Sequence, residues 1–213
     1  MSRDLFKGIF GSNNSSLTTD DSRFKIDNHK FYTKAIKEHG VSPKGVRWHS
    51  KETQFLRFEV LSEFIKDDIK ESILVDAGCG FGDYYTYLSE NLLVPYRYVG
   101  YDMLEEMISI SKKRFFDVEF KQKDILKDEL IEADYYVCSG AMNTLSNFEA
   151  LVFIKRCFEH SKKGFAFNLL KDKTYNSLKI DDVVEYCSSF CDCVTVKEGY
   201  LDNDISFFLK SNQ

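Results

Sequence analysis

One segment constrains this chain more than any other: Ile73-Leu-Val-Asp-Ala-Gly-Cys-Gly-Phe-Gly82, followed by Asp83-Tyr-Tyr-Thr-Tyr-Leu. Apolar residues of strand character run into three alternating glycines, and a helical pattern follows at once. Glycines at 78, 80 and 82 let the backbone approach a ligand closely and expose amides at a helix N-terminus. The segment therefore predicts a buried strand, a ligand-accepting turn and a helix, in that order.

The rest of the chain extends the pattern. Strand-like and helix-like segments alternate from Ser72: strand Ile73 to Ala77, helix Asp83 to Leu92, strand Tyr96 to Tyr101, helix Leu104 to Arg114, strand Val118 to Lys121. Strand Tyr135 to Ser139, helix Phe148 to His160 and strand Phe165 to Leu169 continue it. Such alternation predicts an α/β fold, a doubly wound, mostly parallel seven-stranded sheet with helices on both faces. After a helix near Ile180 to Ser189, the strands Cys193 to Lys197 and Ile205 to Leu209 are joined only by Glu198 to Asp204. That connection is too short for a parallel crossover, so the sheet should finish with an antiparallel pair.

The glycine spacing separates two ligand classes. A dinucleotide turn, G-x-G-x-x-G, needs its third glycine where Asp83 stands, and a diphosphate would meet carboxylates at Asp76 and Asp83. S-adenosylmethionine has no phosphate and carries a positive sulfonium and ammonium, so acids suit it. Tyr98-Val-Gly-Tyr-Asp102 places another carboxylate at the end of the second strand, where paired acceptors can grip a ribose diol.

Val75-Asp-Ala-Gly-Cys-Gly-Phe-Gly82 resembles motif I of the class I S-adenosylmethionine-dependent methyltransferases, and the resemblance covers about Ser72 to Leu209. It implies that Asp76 helps orient the methionine end of the cofactor, that Gly78 and Gly80 make room for it, and that Asp102 binds the ribose. Met103 would border the adenine or pack in the core. Asp124, in Glu119-Phe-Lys-Gln-Lys-Asp124-Ile-Leu, would accept from the adenine amino group with Ile125 against the ring, or cap a helix. Ser139 and Gly140, beyond the fourth strand, would contact the methionine moiety. Asn143 is a candidate substrate contact or a turn cap. The run Cys138-Ser-Gly-Ala-Met-Asn143 does not match the Asn/Asp-Pro-Pro-Tyr motif of amino-methylating enzymes on nucleic acids or glutamine.

Residues 1–70 are expected to form an N-terminal extension with lid helices, mobile at 11–21, ahead of a cofactor-binding domain at 71–213. A short helix from about Asn28 to Glu38 closes at Gly40, and Ser50 is a good N-cap for a helix running from Lys51 to about Lys66. At about 100° per residue, Phe58, Leu61 and Ile65 form its inward stripe, with Gln54 and Arg57 on or beside it. Polar groups on an apolar face need partners. Both are candidate cofactor-binding residues, and Arg57 has two possibilities: the α-carboxylate of the cofactor, or an acid of the domain. Trp48 would line the substrate side or belong to the core. The stretch Tyr32 to Phe58 also resembles the front end of a group of small bacterial methyltransferases with generally unassigned substrates.

A chain of 213 residues suits one domain with an extension, and its net charge of -5 disfavours nucleic acid as a partner. No apolar run approaches the roughly 18 to 20 residues of a membrane span, and the first residues lack a secretory pattern, so a cytoplasmic protein without membrane contact is expected. Cys187, Cys191 and Cys193 lack a paired CxxC and a nearby His, so they are read as small apolar side chains and no metal is expected. The resulting expectation is a methyltransferase acting on a small-molecule acceptor, with S-adenosylhomocysteine as product; oligomeric state and catalytic residue are left open. His39, His49, Tyr32 and Tyr175 are possible bases at the entrance. The rival is a protein that binds the cofactor without transfer, and a nicotinamide-linked oxidoreductase is weaker still.

Overall fold

The alternating pattern from Ser72 onward becomes a seven-stranded sheet in the order β3-β2-β1-β4-β5-β7-β6. The strands are β1 (Ile73–Ala77), β2 (Arg97–Asp102), β3 (Glu119–Gln122), β4 (Ala133–Cys138), β5 (Ser161–Leu170), β6 (Cys193–Lys197) and β7 (Asp204–Lys210). The α-helices whose bounds lie within the described residues are α1 (Lys51–Glu63), α2 (Asp83–Glu90), α3 (Glu105–Arg114), α4 (Asn147–Glu159) and α5 (Ile180–Ser188). This computed structural model describes residues 30, 38, 50–171 and 178–211. The segment 11–21, most of the expected front helix, and Tyr32, His39, Trp48, His49 and Tyr175 lie outside the described residues.

β1 through β5 pair in parallel, and β7 runs antiparallel to both β5 and β6. The expected closing pair is therefore present, with β7 inserted between β5 and β6. β5 starts four residues earlier than its apolar pattern, because Ser161 pairs with Ala133 beside a register shift at Ala133/Tyr135. Lys162 and Lys163 are not buried there, and Lys163 bridges Asp68 at 2.7 Å and Asp134 at 3.4 Å, so that end of the strand shows no apolar alternation.

The period-2 alternation sorts the core into two layers. Val75, Ala77, Phe165, Phe167, Phe207 and Leu209 face one side, where Leu151 and Ile154 of α4 and Val183 of α5 meet them. Leu74, Tyr98, Val137 and Ala166 face the other, against Phe58 and Leu61 of α1, Tyr84 and Leu88 of α2, and Ile108 of α3. Removing an apolar side chain of that size from water contributes about 1.5–3 kcal/mol. α1 begins at Ser50, whose hydroxyl accepts the Thr53 N–H at 3.2 Å. It buries Phe58, Leu61 and, just beyond its end, Ile65, so the stripe expected of this helix packs directly on the sheet. α4 opens with a full capping box of Ser146 and Glu149.

Candidate functional site

Strand register decides which side chains gather at one edge. Asp76, Gly100, Val137 and Ala166 lie in one row across β2, β1, β4 and β5. Two residues further along each chain come Gly78, Asp102, Ser139 and Asn168. By alternation Asp76, Val137, Asp102, Ala166 and Asn168 look toward the layer of α1 and α2, while Gly78 and Ser139 open the turns just beyond β1 and β4. The carboxyl ends of four parallel strands thus bring together a glycine turn, two acids, a serine and an asparagine, in the crevice where open α/β sheets bind ligands.

The turn after β1 has positive φ at Gly78 (90°), Gly80 (53°) and Gly82 (79°). Gly78 has no alternative: a Cβ there would stand 2.2 Å from the Ala141 Cβ of the loop after β4, so these two loops touch across the crevice. Backbone bonds extend the β1–β2 pairing into the turn, with Gly78 N–H and Cys79 N–H both donating to the Tyr101 carbonyl at 2.7 and 2.9 Å. Asp102 then fixes the tip. Its Oδ2 accepts Gly80 N–H at 3.0 Å and its Oδ1 accepts Leu104 N–H at 2.9 Å. Acceptor capacity remains on the carboxylate for a ribose hydroxyl. Ser111 of α3 also holds the turn, donating to the Gly80 carbonyl at 2.8 Å.

Asp76 is buried, and its Oδ2 accepts from the Tyr98 hydroxyl at 2.5 Å. Burial pushes its carboxyl up to about 7, against the lowering effect of the Tyr98 bond and with the charge of Asp102 adding to the rise. Asp102 is raised to about 6, again by burial, while the Leu104, Gly80 and Met103 backbone amides pull it down. Two acids of raised pKa at one strand edge mark a place where positive charge would be stabilised.

Of the residues expected to border an adenine, the Met103 side chain is exposed rather than packed in the core, and Ile125 is buried. Asp124 caps its own turn: Oδ1 accepts Leu126 N–H at 2.9 Å, and Oδ2 pairs with Lys127 at 2.7 Å. No helix follows Asp124, so it caps a turn and not the expected helix, and its free lone pairs leave the other role open. Beyond β4, Gly140 turns the chain with φ 81° and opens a short 3-10 helix, Ala141–Thr144. Ser139 Oγ and Asn143 Oδ1 are both buried without a hydrogen-bond partner among the described residues. Orphaned polar atoms on either side of this turn fit a polar ligand that completes them.

α1 supplies Gln54 and Arg57. Gln54 Nε2 donates to Asp83 Oδ2 at 3.3 Å, while Asp83 Oδ1 takes Arg114 at 2.7 Å. Of the two partners open to Arg57, the structure supplies the one within the domain. Its Nε and Nη2 donate to Asp204 Oδ1 and Oδ2 at 2.6 and 2.5 Å, and its Nη1 to the Thr53 carbonyl at 3.0 Å. Asp204 Oδ1 also accepts from Asn168 Nδ2 at 2.8 Å, and Asn168 Oδ1 accepts Gly140 N–H at 3.0 Å. Asn168, Asp204 and Tyr98 were not singled out from the sequence. The available signal was Asn168 itself, an amide inside the apolar run Phe165-Ala-Phe-Asn-Leu-Leu170.

Residues 74–164 match the model of a family described as a methyltransferase domain. Magnesium protoporphyrin IX methyltransferase from Synechocystis PCC 6803, solved with bound SAM, superposes with a TM-score of 0.62 at 14% identity, covering 98% of this chain and 90% of that one. The DhpI-SAH complex gives 0.67 at 13% identity, covering 90% and 99%. The N-methyltransferase NodS from Bradyrhizobium japonicum WM9 gives 0.58 at 13% identity, covering 76% and 97%. No curated protein matches the sequence. At these identities the likeness is one of fold: the chain has the class I S-adenosylmethionine-dependent methyltransferase fold.

Proposed function

We propose that this protein binds S-adenosylmethionine at the carboxyl edge of β1, β2 and β4 and methylates a small-molecule acceptor. The observation that carries the reading is the glycine turn flanked on one face by Asp76 and Asp102, with no phosphate-compatible third glycine at Asp83. The cofactor supplies an electrophilic methyl group on a positive sulfonium, and its product is S-adenosylhomocysteine. Asp102 would hold the ribose, Asp76 would orient the amino-acid end through its negative charge, and Gly80 would leave room for the cofactor, the space at Gly78 being taken by Ala141. Met103 and Ile125 would border the adenine, with Asp124 accepting from its amino group. Ser139 Oγ and Asn143 Oδ1 are the orphaned groups that the amino-acid end and the acceptor would complete.

The protein's own contribution to transfer is to hold the acceptor in line behind the methyl group and to exclude water. The net charge of -5 favours a small acceptor over a nucleic acid. Calorimetry with S-adenosylmethionine and with a nicotinamide dinucleotide, followed by release of S-adenosylhomocysteine in a cell extract, tests the reading. Binding of the first alone, with release, supports it; binding without release leaves the non-transferring alternative, and dinucleotide binding overturns it.

A further inference from the structure

The buried polar chain Arg57, Asp204, Asn168, Gly140 crosses from α1 through β7 and β5 to the turn after β4. Its side chains are almost fully inaccessible, at 6% for Arg57, 1% for Asp204 and 0% for Asn168. Hydrogen-bond chemistry fixes its polarity. Gly140 N–H can only donate and the Asp204 carboxylate only accept, so the Asn168 amide has one orientation that serves both. Gly140 lies beyond the ladder: β4 has ended at Cys138, the backbone has turned to φ 81°, and the amide donates to the Asn168 side chain. A buried ion pair gains little net stability over apolar packing of the same volume. Here its far end reaches a loop amide rather than another core contact.

We propose that Asn168 is a positioning residue, and that Arg57 and Asp204 act through it to make the shape of the Ser139–Asn143 turn depend on the docking of α1. The proposal rests on the reading above, in which that turn meets the amino-acid end of the cofactor. Helix α1 then contributes to cofactor binding from a distance, with its arginine bonded to protein and the effect delivered at Gly140. Loss of the relay should loosen the turn while leaving the adenosine half of the site, built on β1, β2 and β3, in place.

The experiment uses the full chain with Asn168→Leu, which removes both amide bonds at similar volume, and Arg57→Lys, which keeps the charge and loses the two-pronged contact. Amide hydrogen exchange of the segment holding Gly140 is measured first. At least tenfold faster exchange there in both variants, with the adjoining β1 and β2 segments unchanged, is the expected result. Unchanged exchange at Gly140 in a folded Arg57→Lys protein would overturn the relay. Affinities for S-adenosylhomocysteine and 5′-methylthioadenosine, which lacks the amino-acid end, are then compared. The first should weaken at least fivefold and the second by less than twofold. Equal losses for both ligands, tracking the melting temperature, would assign the chain to stability alone and end the proposal. Wild-type protein that binds neither ligand would fail the functional reading and with it the assignment of the turn to a cofactor. The exchange result would still decide whether α1 and Gly140 are coupled.

Discussion

Replacing Gly78 with alanine places a methyl group 2.2 Å from the Ala141 Cβ, where two carbons normally stand about 3.5–4.0 Å apart. One of the two loops must move by more than about 1 Å. Two separate costs add up. The backbone at φ 90° is one that alanine rarely adopts, worth about 1–2 kcal/mol, and overpacking costs about 1–3 kcal/mol more. The second cost alone is removable. In Gly78→Ala/Ala141→Gly the nearest atom becomes the Ala141 Cα at 3.6 Å, an ordinary contact, while the backbone strain remains. Urea unfolding of the wild type, both single variants and the double should therefore give a favourable coupling of about 1–3 kcal/mol, with the double variant still below wild type. Calorimetry with S-adenosylhomocysteine should follow the same order, because the two loops form opposite walls of the crevice. Costs that add within about 0.5 kcal/mol would mean that the loops do not touch, and the geometry of the site would be wrong.

Asp102→Ala should weaken S-adenosylhomocysteine binding at least tenfold and also lower the melting temperature, since Gly80 N–H and Leu104 N–H lose their acceptor together; unchanged affinity would place the ribose elsewhere. The pH dependence follows from Asp76 at about 7 and Asp102 at about 6, both raised by burial from ordinary carboxylate values. The folded protein holds these protons more tightly than the unfolded chain, so their contribution to stability falls as pH rises from about 4 to 7. Binding of the positive cofactor favours the ionised acids, so S-adenosylmethionine affinity should increase from pH 5.5 to 7.5 with proton release, seen by calorimetry in buffers of different ionisation enthalpy. A flat profile without release would refute the role given to the two acids. Tyr98→Phe removes the bond that restrains Asp76 and should move the rise to higher pH; an unshifted midpoint would show that Asp76 does not govern it.

What the sequence determined by itself is whatever a short stretch of chain decides through its own periodicity and backbone chemistry. Ile73 to Ala77 read as a buried strand, the glycines at 78, 80 and 82 as a turn open to a ligand, and Phe58, Leu61 and Ile65 as one helix face, because each signal lies within a few residues. The acid at Asp102 was legible for the same reason, as the polar end of an apolar strand. Tertiary structure alone decided what these side chains touch. Arg57 needed an acid, yet nothing local selects Asp204, 147 residues away, among the 34 acids of the chain. That choice came from the insertion of β7 beside β5, which sets Asp204 opposite Leu170 and Asn168 opposite Ser206 on the face α1 covers. The raised acids Asp76 and Asp102, and the contact between Gly78 and Ala141, are products of the same packing. Burial and distance between remote segments set their energies, and neither quantity exists until the sheet has closed.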